Sequence, residues 1–380
     1  MIFRKLIKKL AWIRLVVDKN TRRFLLGPVA GSIPRTFIRS VVEASAEPTV
    51  RSHLQSVHSV VSAEVINYNL PEEFPYWFRR QKAFDRKNIY VLKNVIISPS
   101  SGLIWTDRGV LFGESIGDLF RLLGWGSCLH HPLIPSVTLP CDEPVVCCPD
   151  ALYYHWLLEW LPNLLYALDL FPNLKILLCE KSPSFAREGL KLILGKEEYC
   201  KKVLISHCDT PVAVSQAILP ALTEWSGFVH PKDIARIRQS IVPQFIKQSD
   251  RKNSTHIYVS RAHATRRRLP HENEIEKIFS EKDFEIIHGE ELTFRDQINI
   301  FSRAETIIAP HGAGLSNMIW RSGPCRIVEI FTTDWLNDCY ARLSTLLGFD
   351  YHYHMLQKPT TARETVDQVL ELLSPENTTN

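Results

Sequence analysis

Several familiar signatures are missing from this chain, and each absence removes a class of protein. No stretch approaches the ~20 apolar residues of a membrane span. Nine cysteines are present but no C-x-x-C pair; the spacing suits neither zinc nor a disulfide scaffold, so reduced thiols and a reducing compartment are expected. There is no Asp-x-Asp, a carboxylate pair that often holds a divalent cation against a diphosphate, and no metal-ligating set is assigned. No G-x-G-x-x-G follows an early strand, which disfavours a Rossmann oxidoreductase. A large charge excess is lacking too. The formal net charge is +4, too mild for a general nucleic-acid binder.

What is present describes a globular α/β chain. At 380 residues it exceeds the size at which one core stops growing, so two domains are expected. Ile2, Phe3, Leu6, Ile7, Leu10, Ile13 and Val17 recur at helical spacing, with Arg4, Lys5, Lys8, Lys9 and Arg14 between them. Residues 1–20 are thus predicted to form a basic amphipathic helix, docked on the protein or lying on an anionic membrane surface. The same basic residues interrupt the apolar run and argue against a cleavable signal. Short β-prone runs and turn sequences between 89 and 115 predict a small antiparallel β unit.

From about 145, strands and helices alternate: strand 145–148, helix 150–170, strand 175–179, helix 184–194, then strands 203–206 and 217–220. Residues 231–249 read as a bridging helix. The second half repeats the logic, with strands at 256–260, 284–287, 306–309 and 327–330 and helices at 272–279, at 293–301 and opening near Gly314. Such alternation predicts parallel sheets. The expected organisation is two Rossmann-like domains facing a cleft. The first spans 21–230, with its Rossmann-like part at 145–230. The second spans 250–355, and a helix and polar tail follow over 356–380.

Three segments carry chemistry. Ile307 to Asn317 is a buried strand, a glycine-rich turn (His311, Gly312, Ala313, Gly314) and a helix start; glycines admit a ligand to main-chain N–H groups, and a helix N-terminus favours anions. Ile257 to Arg268 is a strand that ends in four arginines within eight residues. Arg261 follows the strand directly and Arg266 lies on the loop; guanidinium groups bind phosphate oxygens in bidentate fashion. Together these suggest a diphosphate site made of fixed charges and N–H groups, without a metal or other cofactor. In the third, Asp150 to Pro162, His155 and Glu159 are four apart on one predicted helix face. They are read either as a general base with its orienting carboxylate or as a surface pair. Glu329 ends a strand, where a carboxylate can accept from ribose hydroxyls; Gln297 and Asn317 are weaker candidates for reading a base or sugar edge.

In combination these segments resemble glycosyltransferase family 61. The similar features are Tyr153 to Pro162 (His-x-x-x-Glu before Leu-Pro), Ser260-Arg261 with the arginine stretch and Asn273-Glu274, Phe294 to Gln297, the His311 to Asn317 loop, and the strand around Glu329. The resemblance covers about 89–335 and implies a GT-B architecture, inversion at the anomeric carbon and no metal requirement. It implies a nucleotide-sugar donor, here expected to be UDP-linked, held by the second half near Arg261, Arg266, His311, Gly312, Ala313, Gly314, Asn317 and Glu329. A hexosyl or pentosyl group would pass to a glycan hydroxyl, with His155 or Glu159, across the cleft, as base. Eukaryotic members are similar but usually membrane-anchored. The chain looks more like a bacterial member that makes surface polysaccharide, cytoplasmic or peripheral on the inner membrane face. A non-catalytic carbohydrate-binding or assembly protein on the same scaffold is the alternative.

Overall fold

The structure is a computed structural model, described over residues 36–38, 41, 51–72, 74–106, 110–115, 136–149, 151–207, 210–221, 227–244, 255–332, 336–356 and 360–374. The predicted helix over 1–20 lies outside the described residues. Mixed α/β structure with several sheets and eight α-helices is present among those described. The chain divides into two units. The first comprises Met1–Glu64, Asp85–Ala151 and Glu159–Ser226; the second comprises Val65–Phe84, Leu152–Leu158 and Gly227–Asn380. The contiguous 21–230 domain read from the sequence is thus interrupted twice by strips of the second unit.

The first unit is built on ten strands: β1 (Thr36–Ile38), β2 (Leu54–Val61), β3 (Lys87–Ile97), β4 (Ile104–Thr106), β5 (Val110–Phe112), β6 (Val137–Thr138), β7 (Val145–Cys148), β8 (Lys175–Cys179), β9 (Val203–Ser206) and β10 (Val212–Pro220). Their order is β1-β5-β4-β3-β10-β7-β8-β9, with β2 on β3 and β6 on β10. The β-prone runs at 89–115 do form antiparallel pairs, but not a separate unit. β3 pairs antiparallel with β10 along its length, which fuses the antiparallel half to the parallel β10-β7-β8-β9 half. One core runs through both halves, from Leu92, Val95 and Ile97 to Val145, Leu177 and Ala217. The expectation of reduced thiols fails at Cys179, the last residue of β8, which is disulfide-bonded.

A helical run joins the units: α1 (Tyr153–His155), a π-helical segment Trp156–Trp160, and α2 (Leu161–Leu170). Pro162 accounts for the widened turn, since it has no N–H to donate and its ring crowds the carbonyl four residues back. In the first unit α3 (Ser184–Lys202) follows, broken at Gly195, whose φ of 76° is left-handed.

The second unit contains α4 (Pro231–Ile241), β11 (Thr255–Val259), α5 (Glu272–Glu281), β12 (Phe284–Ile287), α6 (Phe294–Arg303), β13 (Ala304–Pro310), a 3-10 helix Ala313–Trp320, β14 (Arg326–Phe331), α7 (Cys339–Leu347), β15 (Asp350–Met355) and α8 (Ala362–Glu371). Its five strands are all parallel, in the order β12-β11-β13-β14-β15. This is the doubly wound order 2-1-3-4-5, whose direction reverses between β11 and β13. Tyr258, Ile308, Val328 and Ile330 pack one face against Ile275 and Phe279 of α5 and Val366 and Val369 of α8. By the two-residue period of a strand, Val259, Ala309 and Glu329 turn to the opposite face. A two-stranded sheet, Glu64–Asn67 with Gln81–Phe84, also belongs to this unit.

Candidate active site

In open α/β sheets ligands bind beyond the carboxyl ends of the strands where strand order reverses. Here the chain leaves β11 through Ser260 and Arg261 and leaves β13 through His311 and Gly312. The two loops meet. A Cβ added to Gly312 would collide with Nη1 of Arg261, and one added to Gly314 would lie 2.9 Å from Cγ1 of Val259. A side chain at Gly312 would have to displace the end of the Arg261 side chain, and one at Gly314 would press on Val259 of β11. Gly312 itself is extended, so the constraint is steric, not torsional.

Arg261 is half-buried. Its Nη2 donates to the Arg266 carbonyl at 2.8 Å, its Nε is buried without a hydrogen-bond partner, and it forms no salt bridge with any described residue. Burial, and next the neighbouring charge of Arg267, pull its guanidinium below the usual arginine value, which still leaves it charged at neutral pH. A half-buried cation with an unanswered N–H suits an anion, beyond the Glu272 and Glu290 carboxylates that already act on it. The 3-10 helix that starts at Ala313 offers the complement, since no side chain caps its first turn and its leading N–H groups have no intrahelical acceptor. Arg266 contributes its carbonyl, and its residue is exposed.

Glu272, unremarked in the sequence, organises the arginine loop. It is 1% exposed, accepts from Tyr258 Oη at 2.8 Å and the main-chain N–H groups of Arg261 and Leu269, each at 3.0 Å, and has Ser260 Oγ 3.3 Å away. The single Ser260 hydroxyl proton goes to the closer Glu276, so three donors hold Glu272, and this carboxylate fixes both ends of the segment that presents Arg261. No spacing marks it; the only signal is an acid in the first turn of α5.

His311 is buried on the opposite lip. Its Nδ1 bonds Glu329 Oε1, its main-chain N–H donates to Ile330 at 2.9 Å, and its ring lies between Phe331 and Tyr340. Glu329 is completely buried; its second oxygen accepts from Tyr351 Oη at 2.6 Å. The direct ribose contact expected of Glu329 is not open to it in this conformation, since its carboxylate is fully buried and each oxygen already bonds a protein group. A carboxylate partner favours a proton on His311 Nδ1 and leaves Nε2 bonded to no described residue. Burial and the Glu329 charge hold the Tyr351 phenol well above its ordinary range.

Asn317 also departs from expectation. Its Oδ1 accepts from Tyr153 Oη at 2.5 Å and from Trp320 Nε1 at 2.9 Å, and its Nδ2 donates to Gln297 Oε1 at 2.8 Å and the Gly314 carbonyl at 3.2 Å. All four valences are satisfied internally, which leaves nothing to read a ligand. Gln297 is consumed likewise, donating to Gly289 at 3.1 Å. These amides brace the glycine loop from behind and tie it to the helical run of His155.

That run places His155 in the second unit, with the loops of Arg261 and His311, and not with the first half as read from the sequence. Tyr153 bonds Asn317, Trp156 packs edge-on against Phe294, and Tyr154 touches both His155 and Tyr340. Tyr340 in turn contacts His311, so an aromatic chain links the two histidines. Glu159 falls in the first unit and is 5% exposed, which excludes the surface-pair reading. The π-helical turn between the residues also replaces the regular α-helical stacking on which their pairing was read.

A parallel doubly wound sheet that presents a guanidinium and uncapped N–H groups at its switch point has the geometry of a phosphorylated-ligand binder. Within that class the chain is similar to one family in particular. The Glycosyltransferase 61 family model matches residues 153–328, from Tyr153 to one residue before Glu329, somewhat under half of the chain. The match supports glycosyltransferase activity in general, with a sugar donor and a glycan acceptor as the two reactants. No curated protein matches the chain.

Proposed function

We propose that the protein is an inverting glycosyltransferase of the GT-B class that takes its sugar from a nucleotide donor, UDP-linked by expectation, and holds the diphosphate without a catalytic metal. One observation carries the reading: the half-buried, unpaired guanidinium of Arg261, seated against Gly312 beside the uncapped start of the 3-10 helix. As the bond between the anomeric carbon and the diphosphate breaks, negative charge grows on the leaving oxygen, and a preorganised cation and N–H groups stabilise it without reorganisation. His311, oriented by Glu329, donates from Nε2 to the same group when both of its ring nitrogens carry a proton.

His155 acts as the base in this scheme. It takes the proton from an acceptor hydroxyl as that oxygen bonds to the anomeric carbon from the side opposite the diphosphate. Glycoside forms, nucleoside diphosphate leaves, and the proton stays on His155. The product is a glycan extended by one hexosyl or pentosyl residue, as in surface polysaccharide synthesis.

Arg261→Ala is the test. Turnover of a nucleotide sugar should fall by about 100-fold or more while circular dichroism is unchanged. Wild-type turnover in a folded variant overturns the reading. His155→Ala separates the enzyme from a non-catalytic carbohydrate binder on the same scaffold: in the enzyme it abolishes turnover and leaves donor affinity intact.

A further inference from the structure

Beside the arginine loop, and unused by the proposed reaction, stands a group of residues with the composition of a metal site. His263 lies on the loop after β11, His288 directly follows β12, and Glu290 lies on the 3-10 turn Gly289–Glu291. One ligand atom from each of the three falls within 4.8 Å of the others. The histidine rings are stacked, with centroids 4.7 Å apart and planes 17° from parallel. His263 Nδ1 is 3.5 Å from Glu290 Oε1 and 3.2 Å from Glu291 Oε1, so a second carboxylate is at hand.

His288 supplies the independent sign. Its Nδ1 is buried and has no hydrogen-bond partner, whereas its Nε2 faces Glu276 at 3.8 Å. A histidine that ligates a metal commonly turns its other nitrogen to a carboxylate, which orients the ring and raises its basicity. Glu276 is itself anchored by Ser260 Oγ, and the Gly289 turn is pinned by Gln297 at 3.1 Å. Two of the three ligands thus stand on braced backbone, while exposed His263 is free to swing in.

We infer that His263, His288 and Glu290 form a divalent transition-metal site, with zinc as the fitting ion, that clamps the loop bearing Arg261. Two imidazoles and a carboxylate suit zinc, with water or Glu291 completing four-coordination. Ligands at bonding distance sit roughly 3–4 Å from one another. Stacked rings cannot both aim in-plane lone pairs at one ion, so closing the site turns exposed His263 out of its stack on half-buried His288. The ion does not touch the leaving diphosphate in this scheme; it fixes the segment that begins two residues after Arg261. The inference does not depend on the transferase reading, because its test reads metal, not turnover.

The full chain, free of any affinity tag and stripped with chelator, is titrated with Zn²⁺ against a chromophoric competitor, and its melting temperature is followed in parallel. Saturable binding with a melting-temperature rise is expected. His263→Ala/His288→Ala should weaken the affinity by at least about tenfold and abolish the rise, since each lost ligand removes a bond the thiols elsewhere cannot replace. Binding of Zn²⁺ that is unchanged in that variant overturns the site, as does the absence of saturation at about 100 µM, far above the range of structural zinc. If the double variant misfolds, Glu290→Gln, a substitution on an exposed residue, must weaken Zn²⁺ binding on its own; unchanged binding there is equally fatal.

Discussion

The guanidinium of Arg261 occupies the space that a side chain at Gly312 would need. The two residues come from different strands, β11 and β13, so their contact is the switch point expressed in atoms. Substitution at either one acts on the other.

Gly312→Ala should therefore behave as an arginine mutation. The new methyl group displaces Nη1 and its charge from the diphosphate position. Donor affinity measured by calorimetry should drop about 10- to 100-fold, the worth of one or two charge-assisted hydrogen bonds, while the far-ultraviolet spectrum stays native. Unchanged affinity would mean that Arg261 does not meet the donor in this pose.

Asn317→Ala should cost stability first. It leaves the buried Trp320 indole N–H and Gln297 carbonyl without their Asn317 partner and removes one acceptor from the Tyr153 hydroxyl. Urea unfolding should show a loss of about 3 kcal/mol or more. A fully stable variant that merely binds donor less well would restore Asn317 to the role of a ligand contact.

Alkaline pH should weaken the fold. Burial raises the phenols of Tyr258, Tyr340 and Tyr351 well above the ordinary range and brings Tyr68 up to about 12. An acid with a raised folded-state pKa stays protonated while the unfolded chain ionises near pH 10. The stabilisation is thus fully present below about pH 10 and is lost as pH climbs through the folded values. Urea midpoints should be flat across the tyrosine-neutral range and then fall steeply; Tyr351→Phe should soften the fall. A flat response to about pH 11 would show these phenols to be solvated.

Arg342→Ala should be among the most damaging single changes in the second unit. Arg342 pairs with Asp338 in the interior, donates to the Gly227 carbonyl at 2.7 Å and lies 4.1 Å over the Phe228 ring. Asp338 also accepts from the Arg79 N–H at 2.5 Å. Removing one partner leaves a buried uncompensated carboxylate, at a cost of about 3–5 kcal/mol. Thermal unfolding within a degree or two of wild type would contradict the burial of the pair.

Residue pattern made the strands of the second sheet legible, because parallel strands buried on both faces read as unbroken apolar runs, as in Ile307–Ala309 and Ile327–Val328. The loops of Arg261 and His311 were legible for a related reason: glycines and arginines directly after such a run have few structural uses. Polar residues one step further in were not. Asn317, Gln297 and Glu329 look like ligand contacts by type and position, and only coordinates reveal that they are buried and bonded to other protein groups. Glu272 is the converse case, an acid like any other in a helix's first turn until three donors are seen to converge on it. Helix α7 and strand β15, which complete the second unit, went unread. Their segments mix Cys339, Arg342 and Ser344, or His352 and His354, into the apolar pattern and blur its period.

The interrupted course of the chain bears on its biosynthesis. Phe74 and Phe78 leave the ribosome early, yet the rings they pack against, Tyr351 and Tyr353, are translated near the end. Until then this sticky strip has no permanent cover, and nascent chains of such topology are slow to mature and prone to aggregate. Yield in a recombinant host should accordingly depend on chaperone supply more than on the final stability of the enzyme.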